Sequence, residues 1–463
     1  MNNRGKKLSN LELLKNRLIY LTTLYTDAEL GAAGRKDLRK RINEAWKEVY
    51  YQLGRNKSKP LNDDDFLRAH WMMYPKFSLP TGKDYIKFLL EEQFTPQRVH
   101  RKIVQPVELE ATEEQTWGAD VESDDENELD EVESSVPAPV SALRPTEIHD
   151  YVNSLKAASP HWFRTYFPEM TPEPLTREEI EWVQRLKRLG MGYFRPLLMA
   201  FLMKYSDPVQ RIDALKAIER FVFVVFRLTE ARSHYGRSEF SNAVREIGRG
   251  RMKLAELKER LRNRMRWAFT EEGCLAGDFH RLLQKKFEDG QGYYHWSGLK
   301  YFLYEYELEL LSRGRQKKVD WTDLLKTRRD RISIEHIYPQ AATTGWPAFE
   351  GLGERERGAY CNSLGNLLLL SSAVNSSLQN DAFAEKKEPR FRSDRAKRRN
   401  GYADGSHSEI EVAQCEDWGP DEIRERGIRL LEFMEKRWSI RFADEQAREE
   451  LLFVGTAGRE GSR

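Results

Sequence analysis

Between Glu108 and Glu133 the chain carries 13 carboxylates and no basic side chain. A segment of that composition cannot bury enough apolar surface to offset the entropy lost on ordering. The run therefore interrupts any core the chain builds. With Pro137 and Pro139 just beyond it, residues 106–143 read as a disordered acidic linker. Composition favours a solvating spacer; the sharper reading is a stand-in for DNA that fills a basic groove until substrate displaces it. The flanks differ in charge, since residues 1–107 hold 21 Lys and Arg against 12 Asp and Glu. Over all 463 residues the balance is 76 against 74, a net +2, so total charge identifies no partner. Apolar residues make up 40% of the chain, enough for real cores outside the acidic run. Cys274, Cys361 and Cys415 stand at unrelated spacings, which excludes a disulfide framework and a CxxC zinc site. The first ten residues are polar and basic, and the apolar run Phe221 to Phe226 is far too short to cross a bilayer. The expectation is a cytoplasmic protein with no membrane partner.

Most of the remainder carries helical periodicity. Ser9 and Glu12 have the spacing of a capping box and open a run with Leu11, Leu14, Leu18 and Leu21 on one face. Leu38, Ile42, Trp46 and Tyr50 repeat the pattern over 35–53. Further helices are expected at 177–190, after Asp207-Pro208 at about 209–229, at about 250–269 and at 301–311. Trp296, Tyr301 and Tyr304 read as core rather than as stacking platforms for bases. No internal repeat is present.

One stretch breaks this pattern. In RISIEHIYP, Arg331 to Pro339, Ile332, Ile334 and His336 share one parity while Ser333 and Glu335 take the other, which is the alternation of a strand. A loop follows to about Asn362. LGNLLLL then reads as a second strand, and Ser371 or Ser372 as the N-cap of a helix. The unit carries Glu335 and His336 at the end of the first strand, Asn366 at the start of the second and Asn375 in the helix. A neutral imidazole can take a proton from water. Mg²⁺ prefers oxygen ligands, and Glu335 and Asn375 offer two. An amide such as Asn366 can hold the imidazole in one tautomer. Together these groups suit phosphodiester hydrolysis.

IEHIYPQ followed by LGNLLLLSSAVN resembles the His-Asn-Asn nuclease (HNH) motif of the ββα-metal fold, in the version found in the C-terminal half of GmrSD-type modification-dependent restriction enzymes. YYHWSGLKYFLYEYELEL, DWGPDEIRERGIRLLEF and the N-terminal NNRGKKLSNLELLKN also resemble that family. The resemblance implies His336 as general base, Asn366 as the residue orienting it, and Glu335 and Asn375 as ligands of Mg²⁺ or Mn²⁺. Lys386 sits where the family often has a basic residue after a Phe, here Phe383. The implied substrate is DNA, by analogy modified phage DNA. The family's upstream ParB-like part, with its Asp-Gly-Gln-Gln-Arg sequence, does not occur in this chain, so a separate ParB-like subunit is an implied partner. The alternative to an enzyme is a non-catalytic DNA-binding or regulatory subunit of a split restriction system.

Two basic clusters bear on DNA. Lys386 to Arg399 and Arg249 to Arg266 each hold eight basic and two acidic residues. Lys386, Lys387, Arg390 and Arg392 in the first are candidates for tracking phosphates; the second reads as a solvated helix face. The expected architecture is mainly α with a small embedded ββα-metal unit, in several domains: a helical segment at 1–105, the acidic linker, a helical domain at 144–330, the HNH unit at 331–400 and C-terminal helices at 401–463.

Overall fold

The computed structural model describes residues 8–31, 34–75, 84–103, 139–170, 175–190, 192–314, 332–342, 344–371, 378, 380–391 and 397–455. The acidic run and the expected helix start at Ser371 or Ser372, with Asn375 and Arg392, lie outside or at the edge of these residues. The described chain is mainly helical, with three small two-stranded sheets. No helix among the described residues is long and apolar enough to cross a membrane.

Packing divides the chain into two compact units. The first comprises residues 1–175, 193–206 and 238–253. Its opening helix, Asn10–Leu21, starts at the capping box expected from the sequence: Glu12 N donates to Ser9 Oγ at 3.3 Å and Ser9 N to Glu12 Oε2 at 2.9 Å. Leu11, Leu14, Leu18 and Leu21 are all fully buried, each contributing about 1.5–3 kcal/mol. Helix Gly34–Gly54 presents Ile42, Trp46 and Val49 to the same core, and Trp46 Nε1 donates to Leu11 O at 3.1 Å. That helix packs extensively on Pro145–Tyr166, which also meets Arg195–Lys204. Strand β1 (Lys102–Ile103) pairs antiparallel with β2 (Val140–Ser141).

Packing therefore segments the chain differently from composition. Helix Pro145–Tyr166 falls in one compact unit with the helices that precede the acidic run and with residues 193–206 and 238–253, while 176–192, 207–237 and 254 onward form the other. The reason is its apolar face: Tyr151, Val152, Leu155 and Phe163 need a covering surface, and helix Gly34–Gly54 supplies it.

The second unit comprises residues 176–192, 207–237 and 254–463. The apolar helix expected after Pro208 runs Pro208–Phe223 and continues as a wider π turn, Val224–Leu228. Phe223 stacks on Trp438 with centroids 3.7 Å apart. Trp296, Tyr301 and Tyr304 are buried, as expected for core residues. Strand β3 (Ile332–His336) pairs antiparallel with β4 (Leu367–Ser371), His336 opposite Leu367. Strands β5 (Arg390–Phe391) and β6 (Lys397–Arg399) form the third sheet. The β3–β4 hairpin is fixed to helix Pro420–Trp438 at Gly365. A Cβ there would lie 1.8 Å from Ile423 O, and buried Arg426 donates through Nη1 to Gly365 O at 2.6 Å and Leu367 O at 3.0 Å.

Candidate active site

Strand alternation sends consecutive side chains to opposite faces of the hairpin, and Glu335 and His336 accordingly meet different neighbours. Glu335 faces a closed polar pocket. Its Oε1 accepts from Lys386 Nζ at 2.6 Å and from the Tyr402 hydroxyl at 3.2 Å. Lys386 is fully buried and also donates to His336 O at 3.1 Å and Ile337 O at 3.0 Å. Burial pushes the Glu335 carboxyl up, against the pull of Lys386, and pushes the Lys386 ammonium down. Each ion is thus held in place by the other.

His336 has about 8% of its surface exposed. Its Nε2 lies 3.4 Å from Asn362 Oδ1 and 3.4 Å from Gln340 Nε2. The ring of half-exposed Tyr294 lies 4.5 Å from the imidazole, centroid to centroid, tilted by 38°. Burial lowers the imidazole pKa to about 4; the Asn362 contact opposes that and the charge of Lys386 adds to it. At neutral pH the ring is uncharged, which is the form that accepts a proton.

The side-chain hydrogen bonds of Asn366 go to groups other than the imidazole. Its amide donates to Tyr338 O and Cys361 O, both at 2.9 Å, and accepts from Tyr338 N at 2.8 Å and Trp418 Nε1 at 3.1 Å. Those four bonds use its whole capacity. The effect is to fix the chain as it leaves β3, with Ile337 N donating to Asn366 O at 3.0 Å. Direct contact with the ring falls to Asn362, Gln340 and Tyr294. The sequence offers only spacing as a signal for the first two: Gln340 follows His336 by four residues, and Asn362 precedes Asn366 by four.

Three of the four basic residues expected to track DNA have protein partners. Lys386 is buried against Glu335. Lys387 Nζ donates to Cys415 O at 2.7 Å, and Arg390 pairs with Asp381 at 3.0 Å and Glu385 at 3.2 Å. Arg392 lies outside the described residues. Lys386 is thus corrected from a phosphate contact to a buried counter-ion, because its three donors are spent on protein oxygens.

Of the two side chains expected to hold a divalent cation, Asn375 lies outside the described residues. Around Glu335 the donor chemistry suits a hard cation, since a carboxylate oxygen and two carbonyls converge on one positive centre. That centre is the Lys386 ammonium. Among the described residues no group of three or more His, Cys, Asp or Glu side chains could hold a metal. A cleft of about 870 Å³ opens beside Asn362, lined among others by Phe287, Phe453, Glu354 and Glu450.

Residues 281–433 match the family model described as GmrSD restriction endonucleases, C-terminal domain. No curated protein and no solved structure matches the chain. The matched segment contains Tyr294, β3, β4, Asn362, Lys386 and the part of the anchoring helix that carries Ile423 and Arg426, and over residues 281–433 the chain is therefore similar to the C-terminal domain of the GmrSD restriction endonucleases.

Proposed function

We propose that the chain is a metal-dependent HNH endonuclease that hydrolyses phosphodiester bonds in DNA, acting in modification-dependent restriction of phage DNA. The observation that carries this reading is the placement of the His336 imidazole at the end of β3, inside the matched segment and bordered by Asn362, Gln340 and half-exposed Tyr294. In this reading His336 takes the proton of a water that attacks phosphorus, and the bond to the 3′ oxygen breaks to leave a 5′-phosphate. Asn366 keeps the histidine in place through the backbone of Tyr338 rather than through the ring. Glu335 and Asn375 would hold Mg²⁺ or Mn²⁺, which when bound offsets charge on the scissile phosphate and the leaving oxygen. Lys386 must then release Glu335, or share it.

The expected outcome is nicking of plasmid by the purified chain with Mg²⁺ and none with EDTA. His336→Ala should abolish nicking while leaving DNA binding intact. Cleavage by His336→Ala at the wild-type rate would sink the assignment. A second reading, a non-catalytic DNA-binding or regulatory subunit that works with a ParB-like partner, is favoured by the closed Glu335–Lys386 pair. That reading expects DNA binding with no Mg²⁺-dependent nicking in the same assay.

A further inference from the structure

Asn362 sits at the end of helix Glu354–Asn362, and its side chain joins three pieces of the second unit. Its Nδ2 donates to Gly358 O at 3.2 Å, one turn back, and to Gly290 O at 3.3 Å in the turn that leads to Tyr294. These two carbonyls decide which way the amide faces, because only the NH₂ end can point at them. The oxygen end is left turned toward His336 Nε2. The backbone of Asn362 is fixed as well: a Cβ at Gly292, where φ is +47°, would lie 2.7 Å from Asn362 Cβ and 2.8 Å from Asn362 O. Glycine alone permits that approach.

We propose that Asn362 is the positioning residue for His336, its Oδ1 holding the proton on Nε2 so that the free lone pair is on Nδ1. A carbonyl oxygen accepts only from a protonated nitrogen, and a neutral imidazole carries one proton. Gln340, near the same nitrogen, cannot make this choice. It is exposed, and it suits either tautomer by turning its amide. The charged neighbours, Glu335 and Lys386, pair with each other on the opposite face of β3. The role assigned here extends the nuclease reading by naming what fixes the base, and for its kinetic part it rests on that reading.

The test uses the full chain labelled with ¹⁵N-histidine. Long-range ¹H–¹⁵N correlation near neutral pH reports the tautomer of each ring, and the His336 signals are those lost in His336→Ala. The wild-type protein should show the Nε2–H form. Asn362→Leu should convert it to a mixture of the two tautomers. In plasmid cleavage Asn362→Leu should lose about ten- to a hundred-fold in kcat with little change in KM, the scale seen when an orienting partner of a functional histidine is removed. An Nδ1–H pattern in the wild-type spectrum overturns the proposal even if Asn362→Leu fails to fold. So does an unchanged tautomer in folded Asn362→Leu. If the tautomer responds as expected but no form of the chain cuts DNA, the positioning role stands and the nuclease reading falls.

Discussion

Two of the buried charge clusters in the second unit are built differently. In the helical core, Glu219 and Glu305 share Arg437, with Nη2 at 3.1 Å from one and 2.9 Å from the other. Arg185 adds a contact to Glu305 at 3.0 Å, while Tyr301 and Trp438 donate to Glu219 at 2.6 and 3.0 Å. Under the β3–β4 hairpin, Glu335 has one cation, Lys386, and one hydroxyl, Tyr402. Planar guanidinium forks serve several oxygens at once and never lose their charge, whereas a buried ammonium is a point charge that gives up its proton readily. Burial does push Lys386 down, while the facing carboxylates raise Arg437. The first cluster is a fixed brace. The second is a pair that another cation could replace, on the face of β3 opposite the candidate base.

That contrast can be broken by substitution. Arg437→Met removes the cation shared by two buried carboxylates and should cost about 4 kcal/mol or more in chemical denaturation. Mg²⁺ should not recover any of it. Lys386→Met should cost somewhat less, about 3 kcal/mol, since Tyr402 still donates to Glu335. Here Mg²⁺ should raise the melting temperature, and more than in wild type, because the freed carboxylate can take the ion. Equal Mg²⁺ responses in the two variants would erase the distinction. Glu409 gives the smallest effect. It is buried and bonded to Ser406, whose N donates to its Oε2 at 2.8 Å, and burial pushes its carboxyl up to about 7, aided by Glu307 and Glu335. The native protein then keeps a proton that the unfolded chain loses near its ordinary carboxylate value. The stability tied to this group is full below that value and is lost as pH rises through 7. Glu409→Gln keeps the capping geometry without the charge, so it should match wild type near pH 5 and melt higher near pH 8.

Local signals in the sequence were read correctly where the chain decides its structure alone. Ser9 and Glu12 marked a helix start, and the parity of Ile332, Ile334 and His336 marked a strand. Gly365 was legible only as part of a motif; its physical reason is Ile423 O, which arrives from 58 positions later. The same holds for the surroundings of His336. Tyr294 reaches the ring from 42 residues upstream, and the facing of Asn362 depends on a carbonyl in the Gly290 turn. Periodicity and spacing carry no information about such approaches. Lys386 shows the converse error. A lysine in a basic run looks solvated, but its position on the short helix Phe383–Lys387 turns it under β3, where a carboxylate waits.

The antiparallel pairing of Lys102 with Ser141 and Ile103 with Val140 gives the carboxylate-rich run its own consequence. The polypeptide departs and returns at adjacent positions of one ladder, so the run is an excursion from a finished module and not a tether between two. Closure entropy grows only with the logarithm of length, about 0.6 kcal/mol per doubling. On that scaling, a change in the number of residues between Ile103 and Val140 alters the closure cost of the β1–β2 ladder only slightly.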